Sequence, residues 1–421
     1  MPDVIHYLLI GLAIAALLGV VFEEKTHVSK AKVTLFFGTL SWVLLFVFSG
    51  QGEEHEAVIH GLNENIADIA SLWIFLVAAM TFVAYLNKKG MIENLIYLVL
   101  PKQISERALL FLTGTFCFLF SSLADNITAT LVSITLILSL QLDRAKTIKF
   151  AALVVFAVNS GGVALITGDV TTLMIFLAGK VQILQLLTLA VPAFIAVMLL
   201  AAMLSIGMSG QVAISSHRRN VRGVDLAIAL IFLCTILCTI VGNVLFQIPP
   251  VLTFLTGLSV MFLVARFFNE DNDQDPVLEY VRQVEFETLL FFLGILLLVG
   301  MLKEIQVLEG LVRIYDQIPA VAANYLMGVL SAAIDNVPLT AALLKSGLRM
   351  GVAEWMVLTY AVGVGGSLLV IGSAAGIVAM SKVPGLTFGS YLRFFLYLFV
   401  AFNVGFAGVY LVGSFLGGAA I

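Results

Sequence analysis

The chain has 421 residues, of which 61% are hydrophobic and 11% charged, with a formal net charge of −4 and a mean hydropathy of +1.09. That apolar share lies well above the roughly half usual in soluble domains, so a water-soluble globule is excluded and several membrane spans are expected. The small, slightly negative charge offers nothing to a polyanion, and no nucleic-acid partner is expected.

The first apolar stretch, 4–22, is kept as a span because no basic segment precedes it and a charged loop follows, with no A-x-A cleavage site. Short cytoplasmic loops accumulate Lys and Arg. The loop carrying Lys25, Lys30 and Lys32 is therefore placed inside and the N-terminus outside, in the periplasm. A second span leads to the acidic run EEHE at 53–56, expected to be an outer loop, and a third, 69–86, returns to Lys88, Lys89, Lys102 and Arg107. The apolar stretch 108–142 is then interrupted by Asp125 and Asn126 and followed by Arg144, Lys146 and Lys149. As one helix it would be about 50 Å long and end on the wrong side. A re-entrant hairpin with Asp125 and Asn126 at its tip meets both constraints. Two more spans, 150–178 with a break and 187–206, end at His217, Arg218, Arg219 and Arg222. Cys117, Cys234 and Cys238 fall in apolar segments with no neighbouring His and read as packing residues, not metal ligands.

The chain also repeats itself. SSLADNITAT at 121–130 and SAAIDNVPLT at 331–340 share S-x-x-x-D-N-x-x-x-T at an offset of 210. GGVALITG at 161–168 and GGSLLVIG at 365–372 share G-G-x-x-x-x-x-G at an offset of 204. Two halves, 1–215 and 220–421, are expected, each with about five spans plus a hairpin, at 108–142 and 322–350. An odd number of crossings in the first half inverts the second. The expected fold is thus an all-α polytopic membrane protein, an inverted-topology repeat with two re-entrant hairpins and two broken transmembrane helices.

Every Lys and Arg can be placed in or beside a loop, whereas Asp125, Asp169 and Asp335 cannot. These three carboxylates stand at membrane depth without an evident basic partner, where a charge costs about 2.5–3.5 kcal/mol on insertion scales. Such groups line a polar cavity, pair, or bind an ion. A neutral acid satisfied by backbone carbonyls is the plainer alternative, and the recurrence of the Asp-Asn pair weighs against it. Asn126 and Asn336 offer amide oxygens, and Thr130 and Thr340 offer hydroxyls, the hard donors a small cation prefers. Asn159, Thr167, Thr171 and Thr172 cluster with Asp169 at the first glycine-rich break. Its counterpart in the second half is Ser373, so the site is expected to be weighted toward the first half.

These motifs, ADNITATL, NSGGVALITGDVTTLM, IDNVPLTAALL and GGSLLVIGSAAG, resemble those of bacterial NhaD-type sodium/proton antiporters, part of the wider ion transporter superfamily. The resemblance covers most of the chain. It implies exchange of Na+, with Li+ as a further candidate, for H+ across the bacterial inner membrane, without a resident cofactor. It also implies a homodimer in the lipid bilayer whose transport region moves as an elevator against a scaffold. Ion-binding roles would fall on Asp125, Asn126, Asn159, Asp169, Thr171, Thr172, Asp335 and Asn336, with Ser367 and Ser373 as contributors and the three aspartates as the Na+ ligands. Anion, oxyanion or dicarboxylate transport on the same fold is the alternative, and it would favour neutral or basic hairpin tips. An intramembrane aspartyl protease also uses two membrane acids, but its G-x-G-D signature is missing because Ile166 precedes Thr167, Gly168 and Asp169; no enzyme activity is expected. His60 and His217 are loop histidines in this reading, either of which could sense pH.

Overall fold

The computed structural model describes residues 3–21, 23–26, 28–50, 52–92, 94, 103–213, 221–267, 280–282 and 284–418. The first half contains α1 (Asp3–Val21), α2 (Glu23–Thr26), α3 (Lys30–Phe48), α4 (Glu53–Lys88), α5 (Glu106–Leu123), α6 (Asn126–Ser139), α7 (Arg144–Gly162), α8 (Val170–Leu177) and α9 (Ile183–Ser205). The second contains α10 (Gly223–Phe246), α11 (Pro250–Phe267), α12 (Phe286–Glu304), α13 (Glu309–Gln317), α14 (Ala320–Leu330), α15 (Asn336–Lys345), α16 (Val352–Gly365), α17 (Ala374–Lys382), α18 (Phe388–Leu392) and α19 (Phe395–Gly418). Among the described residues seven helices are long and apolar enough to cross a membrane, and five shorter apolar helices accompany them. The protein is a helical, multi-pass membrane protein. Its one departure from an all-helical fold, among the described residues, is a pair of three-residue strands, β1 (Gln103–Ser105) and β2 (Gln211–Ala213), joined antiparallel.

The acidic run at 53–56 is not a loop. It forms the first turn of α4, a continuous helix of 36 residues, because three glutamates suit the positive N-terminal end of a helix and nothing after them breaks it. At about 1.5 Å per residue α4 is roughly 54 Å long, well beyond a hydrocarbon core of about 30 Å. His60 is thus an exposed helix residue, while Lys102, His217, Arg218 and Arg219 lie outside the described residues.

Both 108–142 and 322–350 break at their Asp-Asn pairs. The first is split into α5 and α6 by Ala124 and Asp125, the second into α14 and α15 by 331–335. Two further breaks, 163–169 and 366–373, separate α7 from α8 and α16 from α17. The core lies around α7 and α16. Every residue from Phe150 to Gly162 and from Trp355 to Gly365 is buried, as expected of helices that are apolar all round.

The helices sort into two packed groups. One holds α1, α3, α4, α10, α11 and α12, and the other holds α5–α9 with α14–α19. Each group draws on both halves of the sequence. The main contact between them is α12 against α15. In the first group α3 and α12 approach closely at Gly38 and Gly294, where an added Cβ on Gly38 would stand 2.5 Å from the Gly294 carbonyl oxygen, and Trp42 Nε1 donates to the Leu297 carbonyl at 2.8 Å.

Contacts also assign the two ends of the molecule. Buried Glu106 accepts from Lys146 Nζ at 2.6 Å and from the Gly210 amide at 3.2 Å, so the start of α5 and the start of α7 share one end. Arg144 meets Gly385 there, and Tyr85 near the end of α4 donates to Asp225 at the start of α10 at 2.7 Å. At the opposite end Lys345 pairs with Asp68 at 3.0 Å and Lys303 with Glu64 at 3.2 Å.

Candidate functional site

Four helices begin at the centre of the molecule, and each is capped by a residue that the sequence singles out. Asp125 caps α6: one oxygen accepts from the amides of Ile127 (3.1 Å) and Thr128 (2.9 Å), the other from the Thr128 hydroxyl (2.8 Å). Asp169 caps α8 through the Thr171 amide at 2.9 Å. Asp335 caps α15 through the Val337 amide at 3.3 Å, and Ser373 caps α17 through the Gly376 amide at 3.3 Å. Broken helices leave unpaired amides at their starts, and short oxygen-bearing side chains satisfy them. The same helix starts present a partial positive charge to the centre, which complements the three carboxylates.

Asp169 is the hub. Its second oxygen accepts from Asn126 Nδ2 at 2.9 Å and from Asn336 Nδ2 at 3.4 Å, so the Asn of each Asp-Asn pair reaches one carboxylate. Asn126 Nδ2 also approaches Asn159 Oδ1 at 3.4 Å, and Ser121 donates to Asn126 Oδ1 at 3.0 Å. Asn159, fully buried, donates to Ser373 at 3.0 Å. The network therefore joins residues from both halves.

The glycines make this convergence possible. A Cβ on Gly161 would stand 2.2 Å from the Phe118 carbonyl oxygen and one on Gly365 would stand 2.0 Å from that of Gly328. Likewise Ser121 donates to the Val158 carbonyl and Ser331 to the Val362 carbonyl, both at 2.8 Å. These contacts recur at the sequence offsets of 210 and 204.

A small cavity of about 50 Å3 is lined by Asp125, Asn126, Thr167, Gly168, Asp169, Asp335 and Asn336, with Phe291, Phe292, Leu76 and Met80 as apolar walls and Lys30 at its edge. Next to it is a wider cavity of about 500 Å3, lined by Glu23, Glu285, Glu287 and Lys382 among others, which shares Lys30, Ile127, Thr288 and Ala374 with the small one. A third, of about 510 Å3, lies at the other end of α12 among Glu64, Asp68, Lys303 and Lys345 and shares no lining residue with the small cavity. Of these two wider cavities, only the one on the Lys30 side shares walls with the small cavity.

One expectation is corrected. Asp335 does have a basic partner, since Lys30 Nζ lies 3.5 Å from its Oδ2. Lys30 opens α3, so its sequence position reads as a loop cation, and only the packing of α3 against α12 brings its ammonium inward. Glu285, which lines the wider cavity, was also missed because it belongs to a charged loop in the sequence. The other expected residues divide. Thr171, Thr172 and Thr340 are buried with hydroxyls that have no hydrogen-bond partner, and none of the three lines the cavity. Thr130 and Ser367 are turned to helix carbonyls, of Asn126 (2.7 Å) and Val364 (2.6 Å), and neither lines the cavity. Among the described residues no three His, Cys, Asp or Glu side chains close around a single point; Asp125, Asp169 and Asp335 line one cavity without forming a three-carboxylate cage. Cys234 and Cys238 are free and exposed on α10.

Residues 5–363 match a family model described as citrate transporter. The chain is 30% identical to the Na+/H+ antiporter NhaD of Alkalimonas amylolytica, an alignment covering 96% of this chain and 90% of that protein. It is 30% identical to the Na+/H+ antiporter NhaD of Vibrio cholerae, over 89% of this chain and 85% of the relative. Sodium/proton antiporter 1 of Arabidopsis thaliana is 29% identical over 92% of this chain and 71% of its own length.

Proposed function

This chain belongs to the NhaD-type sodium/proton antiporters within the citrate-transporter family, and on that premise we propose that it exchanges Na+ for H+ across the bacterial cytoplasmic membrane at the cavity between Asp125, Asp169 and Asp335. The observation that carries the placement is the convergence of Asn126 and Asn336, one from each half, on a single oxygen of buried Asp169. When a cation enters, either amide can turn its oxygen inward in place of its N–H. The Thr167 side chain also lines the cavity and offers a further oxygen donor. Antiport follows if one carboxylate holds either a proton or the cation, so that binding one expels the other.

Citrate-type anion transport fits less well. The small cavity of about 50 Å3 at the three carboxylates suits a bare cation. Three carboxylates against one ammonium also favour a cation. Li+ is a second cargo on the same ligand chemistry.

The wider reading includes the inverted repeat. Glu106 meets Lys146 at one end of the molecule, while Lys345 pairs with Asp68 at the other, which suits one hairpin opening from each side. Single cysteines at Arg107 and Lys146 should label from the cytoplasmic face and one at Lys345 from the periplasmic face. Labelling of the first two from opposite faces would overturn the hairpins. The two packed helix groups suit a scaffold, α1, α3, α4 and α10–α12, and an elevator-like transport body. A homodimer joined through the scaffold and an N-terminus in the periplasm complete the proposal.

Purified protein in vesicles tests the exchange directly. Addition of Na+ should drive H+ in the opposite direction, and Na+ binding in detergent should release protons. Transport of citrate or arsenite without such release would replace this reading with the anion one.

A further inference from the structure

We propose that Lys30 is a tethered competitor of the transported cation: in the sodium-free protein its ammonium holds Asp335, and an arriving Na+ must displace it. The inference rests on the exchange reading above and assigns to Lys30 a role in setting how tightly the ion is held and how fast it leaves.

Lys30 Nζ stands 3.5 Å from Asp335 Oδ2, with the two side chains 17% and 7% exposed. That spacing lies beyond the roughly 2.7–3.2 Å of a well-made N–H···O bond. Charge, more than hydrogen bonding, holds the pair. Its other neighbour is the face of Phe291, whose ring centre is 4.5 Å away. A cation over an aromatic face is attracted to the ring, so the ammonium keeps one favourable contact when the carboxylate is taken. Glu23 and Glu285 line the wider cavity on the outer side of Lys30, so the displaced charge retreats toward carboxylates, not into apolar packing.

The two partners belong to different bodies. The Lys30 amide is fixed by the Glu23 carboxylate at 2.9 Å, and Thr34, one turn on, donates to the Phe291 carbonyl at 3.4 Å, which anchors the base of the side chain to α3 and α12. Asp335 caps α15 in the other group. Lys30 also lines both the small cavity and the wider one, so a cation reaching Asp335 from that end passes it. Stability alone gives little reason to keep such a pair, because desolvating two charges commonly cancels what their attraction returns. A like charge held at the ligand weakens the bound ion by direct repulsion.

The test compares wild type with Lys30→Gln and Lys30→Arg by calorimetric Na+ titration at constant ionic strength in detergent, and by exchange kinetics in vesicles. Lys30→Gln should bind Na+ roughly tenfold or more tightly, with KM for Na+ falling and kcat falling as release slows. Lys30→Arg should keep weak binding. A merely structural counterion predicts the opposite, a loosened site with lower Na+ affinity. Unchanged or weaker binding by folded Lys30→Gln overturns the proposal. A second readout needs no variant: saturating Na+ should raise the acylation rate of Lys30 in the wild-type protein, read by mass spectrometry, while Lys149 stays constant. Equal Lys30 labelling with and without Na+ also overturns it. If the wild type binds and exchanges Na+ but Lys30 fails both tests, only this inference falls. A wild type that binds no Na+ removes both readings together.

Discussion

Each central carboxylate serves twice, as the cap of a helix and as a charge in the cavity, and substitution can separate the two. Asn caps a helix about as well as Asp. Asp125→Asn should therefore melt close to wild type in detergent, whereas Asp169→Asn, which replaces an oxygen that accepts from Asn126 and Asn336, and Asp335→Asn, which takes the carboxylate from Lys30, should melt lower; all three should show background exchange in vesicles, because an amide supplies an oxygen but cannot carry the proton. The Ala variants should lose about 1 kcal/mol more for the missing cap. Exchange surviving in any one of the Asn variants would remove that carboxylate from the mechanism. Ser373→Ala is expected to differ: it loses the acceptor for Asn159 but no titratable charge, so Na+ affinity should weaken with transport still measurable. Asp125, Asp169 and Asp335 were legible in the sequence because a charge in an apolar run must be explained. Lys30 was not, because it stands at the boundary of a helix, where a lysine is ordinary, and only tertiary packing turns it inward.

At the scale of elements, the helix breaks are set by glycine pairs that bring backbone against backbone. Gly161→Ala and Gly365→Ala would each force a methyl into a carbonyl oxygen at 2.2 and 2.0 Å, which should cost about 1–3 kcal/mol or more in stability. Gly11→Ala, with nothing within 4 Å of its added carbon, should leave the melting temperature in detergent unchanged or slightly raised. Equal melting of all three would mean that the breaks tolerate side chains and that the glycines matter for another reason. The breaks could be read from G-G-x-x-x-x-x-G because glycine permits close approach wherever it occurs in register. The start of α4 could not. Its acidic run looks like a loop when charge alone is weighed, and the helix continues because acids at an N-terminal turn are favourable.

For the whole molecule, the helices sort into two groups with α12 against α15 as the main contact, and in the proposed elevator-like exchange movement of one group against the other opens the site to each side. Lys345 on α15 and Asp68 on α4 bridge the groups at 3.0 Å. Cysteines at these two positions, joined by a reducible bifunctional reagent in a background lacking Cys234 and Cys238, should stop exchange, and reduction should restore it. Full-rate exchange through the intact crosslink would argue against movement between these two bodies. The sequence repeat marked the paired Asp-Asn and glycine breaks, but not that helices from 1–215 and from 220–421 are shared between both packed groups, since packing partners are not encoded in local pattern. This interleaving has a consequence for synthesis. When the first half has left the ribosome, Asn159 lacks Ser373, Asp169 lacks Asn336 and Lys30 lacks Asp335, so these groups hold only part of their final set of partners until residues from 335 onward arrive. Insertion must therefore run ahead of assembly, and a chain truncated before α15 leaves its charges in the membrane as a mark by which quality control can recognise it.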